Sequence, residues 1–238
     1  MKKSIHLIFL AFVLLTVLLN GCAPPSTPIP PTFTVMPPTN TPIPTLNPNA
    51  IVNEDFEDEI ASGIMIGEGL GNWQIVSDST GNKVLKVDNI GGLQWPAIAI
   101  GPSNLTDFKI DYRAKLTSFD LSKDTGSGVI GLSFRLGDSG GYVFAFHPYF
   151  KRAMLSFMGA DGVWKPLDGG YATVAFKKDV WYSVQIEVQG STIKAYLNNS
   201  LLFTVKDDKF KEGGVSMGVG PNTSAELDDI QIAIADEK

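Results

Sequence analysis

The 238-residue sequence predicts an all-β sandwich, and three observations carry that prediction. Short apolar–polar alternations recur at roughly 8 to 12 residue spacing, with Gly, Asn, Asp and Ser between them, the pattern of many antiparallel strands. No stretch with a helical period and adequate length interrupts them. The composition changes at residue 51, so the strands belong to one C-terminal segment of 188 residues, long enough for a single domain with its own core.

The expected strands cover residues 73–76, 84–87, 97–100, 108–116, 129–136, 142–147, 153–158, 180–188, 192–197, 201–205, 214–219 and 226–234. The run VWYSVQIEV at 180–188 places Tyr182, Val184, Ile186 and Val188 on one face and Ser183, Gln185 and Glu187 on the other. In the pair 129–136 and 142–147, Leu132, Phe134, Tyr142, Phe144 and Phe146 are core candidates. Ser133, Arg135, Val143, Ala145 and His147 then face outward. Trp181, at a strand start, is expected in the core.

The segment before the strands divides in two. Lys2 and Lys3 precede an apolar run from Ile5 to Leu19, the order of a secretory signal peptide. The run is short for a membrane-spanning helix, which needs about 20 residues. It ends in Leu19-Asn20-Gly21-Cys22, which resembles a bacterial lipobox. The resemblance implies that residues 1–21 are removed and that Cys22, the only cysteine, carries acyl lipid. Residues 22–50 follow as a tether, and between Ala23 and Ala50 stand ten of the chain's fifteen prolines. Proline biases such a segment toward polyproline II, so about 28 residues reach roughly 85 Å when extended. Residues 51–238 are the domain. The expected location is extracytoplasmic, with the membrane contacted through the Cys22 lipid alone.

The net charge is −6, and loss of Lys2 and Lys3 takes it to about −8. An acidic exported domain is poorly suited to nucleic acid or to anionic lipid. Neutral ligands such as sugars remain compatible.

The segments NEDFED, NWQIVSDSTGNKVLKV, GVIGLSFRLGDSGGYVFAF, WYSVQIEVQGSTIKAYLNN and ELDDIQIAI, in that order, resemble the concanavalin A-like lectin/glucanase domains. The likeness is greatest to the laminin G-like and family 16 glycoside hydrolase-like members, including the 3-keto-glycoside hydrolase-like group. It implies a two-sheet antiparallel jelly-roll sandwich with a sugar site on the concave sheet. Retaining family 16 enzymes carry Glu-x-Asp-x-(x)-Glu on a central strand, because their chemistry needs two carboxyl groups about 5 Å apart. The nearest match here, Glu226-Leu-Asp228-Asp-Ile-Gln231, ends in Gln and lies on the last expected strand.

The expected function is therefore a non-catalytic, cell-surface carbohydrate-binding domain. The alternatives are a glycoside hydrolase of the same fold with a non-standard carboxylate site, and a structural or protein-binding module. Candidate sugar contacts are the donors Arg135 and His147 and the aromatics Tyr149, Trp164, Trp95 and Tyr171. Asp228 is expected on the face of Ile230, Ile232 and Ile234, where an unpaired carboxylate is costly. The resemblance implies a calcium ion joining the chain's two ends, with Asp228, Glu54, Asp55 and Glu57 as oxygen ligands. The other reading of Asp228, a cap on strand-end amides, stays open.

Overall fold

The structure is a computed structural model, and it describes residues 50–67, 71–123 and 126–235; Cys22 and the expected leader and tether, up to residue 49, lie outside the described residues. Fifteen strands and no helix occur among the described residues. In chain order they are β1 (Val52–Glu54), β2 (Ile64–Ile66), β3 (Asn72–Ser77), β4 (Lys83–Asp88) and β5 (Ala97–Leu105). Next come β6 (Phe108–Phe119), β7 (Ile130–Gly137), β8 (Gly140–His147), β9 (Arg152–Gly159) and β10 (Trp164–Thr173). The last five are β11 (Trp181–Gln189), β12 (Thr192–Leu197), β13 (Ser200–Lys206), β14 (Gly213–Val219) and β15 (Thr223–Ile234).

Two antiparallel sheets form. The first runs β13-β12-β11-β6-β15-β4-β3, with β1 added to β15, and the second runs β10-β9-β8-β7-β14-β5-β2. The all-β sandwich expected from the strand pattern, with the two-sheet jelly-roll form that the resemblance implies, is thus the observed architecture. Its core lies between the sheets. From the first sheet β6 contributes Phe108, Ile110, Tyr112, Ala114 and Leu116, while its Lys109, Asp111, Arg113 and Lys115 alternate outward. From the second sheet Leu132 pairs in register with Phe144, and Phe134 with Tyr142, all four fully buried. Each such side chain stabilises by about 1.5–3 kcal/mol through burial.

Two irregular residues change which side chains face the core. Asp229 adopts φ 49° and the β15–β6 register shifts between Asp228 and Gln231. The extra residue is a β-bulge, which reverses the alternation. Leu227, Ile230 and Ile232 all face the core, and Asp228 does not share their face, contrary to the sequence expectation. Arg135 adopts φ 46° where the β7–β8 register shifts between Phe134 and Gly137. Its guanidinium is buried, donating to the Thr106 and Phe210 carbonyls at 2.8–3.0 Å and pairing with Asp107 at 3.2 Å. Trp181 is also outside the core. It stands opposite Lys115 on the outer face of the first sheet, where Arg113 and Lys115 lie over its ring.

Candidate functional site

One strand points to the site. Every residue of β8 is buried, although its alternate residues Val143, Ala145 and His147 face away from the core. A strand covered on both faces needs a cover on the outer one. Trp164, at the start of β10, supplies part of it, packing against Val129, Ala145 and Met154. Trp95, from the loop between β4 and β5, meets Trp164 with ring centroids 5.4 Å apart and planes inclined by 57°.

The two indoles border a cleft of about 500 Å³ on the outer face of the second sheet. Its floor is made of small residues in register: Ser133 opposite Ser216 and Gly131 opposite Gly218 across β7 and β14. The missing side chains matter. A Cβ on Gly131 would stand 3.4 Å from the Trp164 ring, and one on Gly220 would stand 3.2 Å from the Trp95 ring and 2.0 Å from the Gly126 carbonyl oxygen. Bulk at either position moves an indole or fills the cleft. None of the described residues lining the cleft is charged. Its polar groups include the two serine hydroxyls, its walls are aromatic, and Trp95 is 46% exposed, free to meet a ligand. Such a space suits a neutral molecule with one apolar face and a few hydroxyls.

The other aromatic candidates spread along the same sheet. Tyr171 pairs with Met154 on the edge strand and is half exposed. Tyr149 and Phe150 stand in the turn after β8, half exposed, with ring centroids 5.1 Å apart. His147 lies beneath this turn, 4.4 Å from the Phe150 ring. Burial, reinforced by the nearby Arg152, pushes its pKa down to about 4, so the imidazole is neutral at physiological pH. The structure therefore brings Trp95 and Trp164 together, sets Tyr171 and His147 on strands of the same sheet with Tyr149 in the turn after β8, and turns Arg135 elsewhere. The floor residues Ser216 and Gly218 were missed, although Gly214, Ser216 and Gly218 alternate visibly with Val215, Met217 and Val219 in the sequence.

The acidic candidates lie on the other sheet. Asp228 is buried and accepts from Asn82 at 2.9 Å, and the Arg113 guanidinium bridges Asp228 and Asp229. Burial, with the neighbouring charge of Asp229, raises the Asp228 pKa to about 6. Glu226 pairs with Lys115 at 2.6 Å. Glu54 turns its carboxylate to the amides of Phe56 and Ser62, Asp55 accepts from the Glu57 amide, and Glu57 accepts from the Lys83 amide. These carboxylates are thus engaged by amides, Asn82 and cations, and no group of three His, Cys, Asp or Glu side chains that could hold a metal occurs among the described residues.

Solved structures share this fold. A Bacillus subtilis protein of unknown function with a galectin-like fold superimposes with TM-score 0.61 at 8% identity, over 82% of this chain and 99% of that one. The carbohydrate-binding module CBM66 of Bacillus subtilis gives TM-score 0.56 at 17% identity, over 72% and 95%. Domain 4 of AbnA, an extracellular arabinanase of Geobacillus stearothermophilus solved with arabinotriose, gives 0.55 at 14%, over 79% and 93%. No protein-family model matches the sequence, and no curated protein matches it. At these identities the likeness establishes the sandwich.

Proposed function

We propose that the domain binds a glycan in the Trp95–Trp164 cleft, without cleaving it, at the end of a lipid-anchored tether. The observation that carries this reading is the cleft itself: two indoles over a floor of serines and glycines, with no charged residue in its described lining. The C–H face of a sugar ring packs on an indole face, and its hydroxyls exchange hydrogen bonds with Ser133 and Ser216. Two of the similar solved structures, the CBM66 module and the arabinanase domain with arabinotriose, are carbohydrate-binding proteins by their descriptions, which supports the same use of this fold. Glu226 and Asp228, the carboxylates of the nearest match to the paired-carboxylate motif, stand on the other sheet, which supports the non-catalytic reading.

A glycan array probed with the tagged protein tests this reading. Binding to a defined set of glycans, weakened in Trp164→Ala, is expected; silence across neutral and acidic glycans overturns it. The anchor is tested separately. Cys22→Ser is expected to abolish lipid attachment and release the protein from membranes. Tight membrane retention with no lipid mass on the N-terminal peptide identifies an uncleaved helical anchor instead.

A further inference from the structure

Further along β8 from the cleft lies a group that the neutral lining does not explain. His147 and Arg152 are direct cross-strand partners on β8 and β9. Both face away from the core, one step along the sheet from Ala145, which packs against Trp164. Two residues along a strand span about 7 Å, so the pair lies next to the strip that Trp164 covers, and four residues, about 14 Å, along β8 from Val143, which lines the cleft.

Three observations mark this pair as incomplete. The His147 Nδ1 is buried with no hydrogen-bond partner, in a side chain only 9% exposed. The Arg152 Nε is also buried and unpartnered. The guanidinium, 4.6 Å from the Phe150 ring, pairs with no carboxylate among the described residues. An arginine unpaired in this way is unexpected in a chain of net charge −6. The sequence sharpens the point, because Ser139 to Ala160 holds Lys151 and Arg152 and no Asp or Glu. Buried polar groups left without partners carry a desolvation cost that a ligand can repay.

We infer that Arg152 and His147 form a second subsite on the same sheet face, beyond the strip that Trp164 covers, for the carboxylate of an acidic sugar, with Tyr149 and Phe150 as its aromatic wall. This rests on the glycan-binding reading of the cleft. The guanidinium supplies the charge and a planar set of donors matched to a carboxylate. Neutral His147 supplies one further ring nitrogen, as donor or acceptor to a neighbouring hydroxyl. The ligand class is then a glycan with a uronic acid residue beside a neutral one.

The test uses the full-length protein with isotope-labelled histidine and tryptophan. His147 is one of two histidines in the chain, and its imidazole signals are assigned with His147→Gln. Glucuronate and galacturonate are titrated against glucose and galactose at matched ionic strength, with acetate as a charged probe that is not a sugar. The indole N–H signals of Trp95 and Trp164 report the cleft, and the imidazole signals report the subsite. Uronates are expected to shift the His147 signals with at least tenfold tighter apparent affinity than the neutral sugars. Arg152→Gln is expected to remove that excess and Arg152→Lys to restore part of it. Indole shifts without any uronate preference at His147 overturn the subsite and leave the cleft reading standing. No indole response to any sugar overturns both. Equal shifts with acetate indicate an adventitious ion only, and an Arg152-dependent response confined to anionic phospholipid vesicles assigns the pair to a membrane; either result overturns the inference.

Discussion

Lowering the pH tests the buried imidazole directly. In an unfolded chain a histidine takes up its proton near pH 6.5, whereas His147 in the sandwich does so only near 4, because burial and the Arg152 charge oppose the imidazolium. Between these values the unfolded state holds more protons than the native one, so stability rises with pH across the window and is lost as pH falls through it. At 1.36 kcal/mol per pH unit the loss attributable to His147 is about 3 kcal/mol between pH 7 and pH 4. Other groups titrate in the same range. Asp228, with its pKa raised to about 6, acts in the opposite sense, since there the native state holds the extra proton and stability falls as pH rises from about 4 to 6. Urea unfolding of the wild type and of His147→Gln at several pH values isolates the histidine, because every other group cancels in the difference. Wild type should lose about 3 kcal/mol more than the variant on going from pH 7 to pH 4. Parallel losses in the two proteins, or a His147 imidazole that titrates near 6.5, would refute the reasoning.

Three further outcomes follow from the packing. Gly131→Val, which sets a branched side chain beside the Trp164 ring, should abolish ligand binding with a small change in melting temperature, whereas Gly220→Ala, whose new Cβ meets the Gly126 carbonyl, should cost about 1–3 kcal/mol in unfolding free energy. Arg113→Ala leaves Asp228 and Asp229 buried without their cation and should cost about 3–5 kcal/mol at pH 7, measured by urea unfolding, with part regained at pH 5 as the carboxylates protonate. Calcium at Asp228, expected from the sequence resemblance, is tested by melting in EDTA and in millimolar calcium. With Arg113 as counter-ion the curves should superimpose, and an EDTA-reversible rise of several degrees, the effect of about 2.7 kcal/mol at a hundredfold excess over Kd, would establish the ion.

The strands were legible wherever alternation was clean. The run at 180–188 became β11 with Tyr182, Val184, Ile186 and Val188 inside, and the core faces of β7 and β8 emerged as read. The edge strand β10 was not legible, because the Gly169-Gly170 pair reads as a turn signal and the strand accommodates it where its register shifts between Pro166 and Tyr171. The faces of Asp228 and Arg135 were misread for one reason. A single residue of positive φ reverses every later side chain, and neither Asp229 nor Arg135 announces that conformation. Trp181 was misplaced by its hydrophobicity, although alternation with the buried Tyr182 already set it outward. Within the cleft the tryptophans were visible as residue types. Their meeting was not, because Trp95 and Trp164 are 69 positions apart and come together only when β5, β14, β7, β8, β9 and β10 lie side by side.

The central claim is that a glycan sits between Trp95 and Trp164. The most direct measurement is a titration of the wild type, Trp164→Ala and Trp95→Ala with the strongest glycan from the array, with melting curves recorded for all three. The account predicts at least a tenfold loss of affinity in each variant, with the half-exposed Trp95→Ala melting close to wild type. Full affinity in both folded variants would place the ligand elsewhere on the molecule and contradict the account.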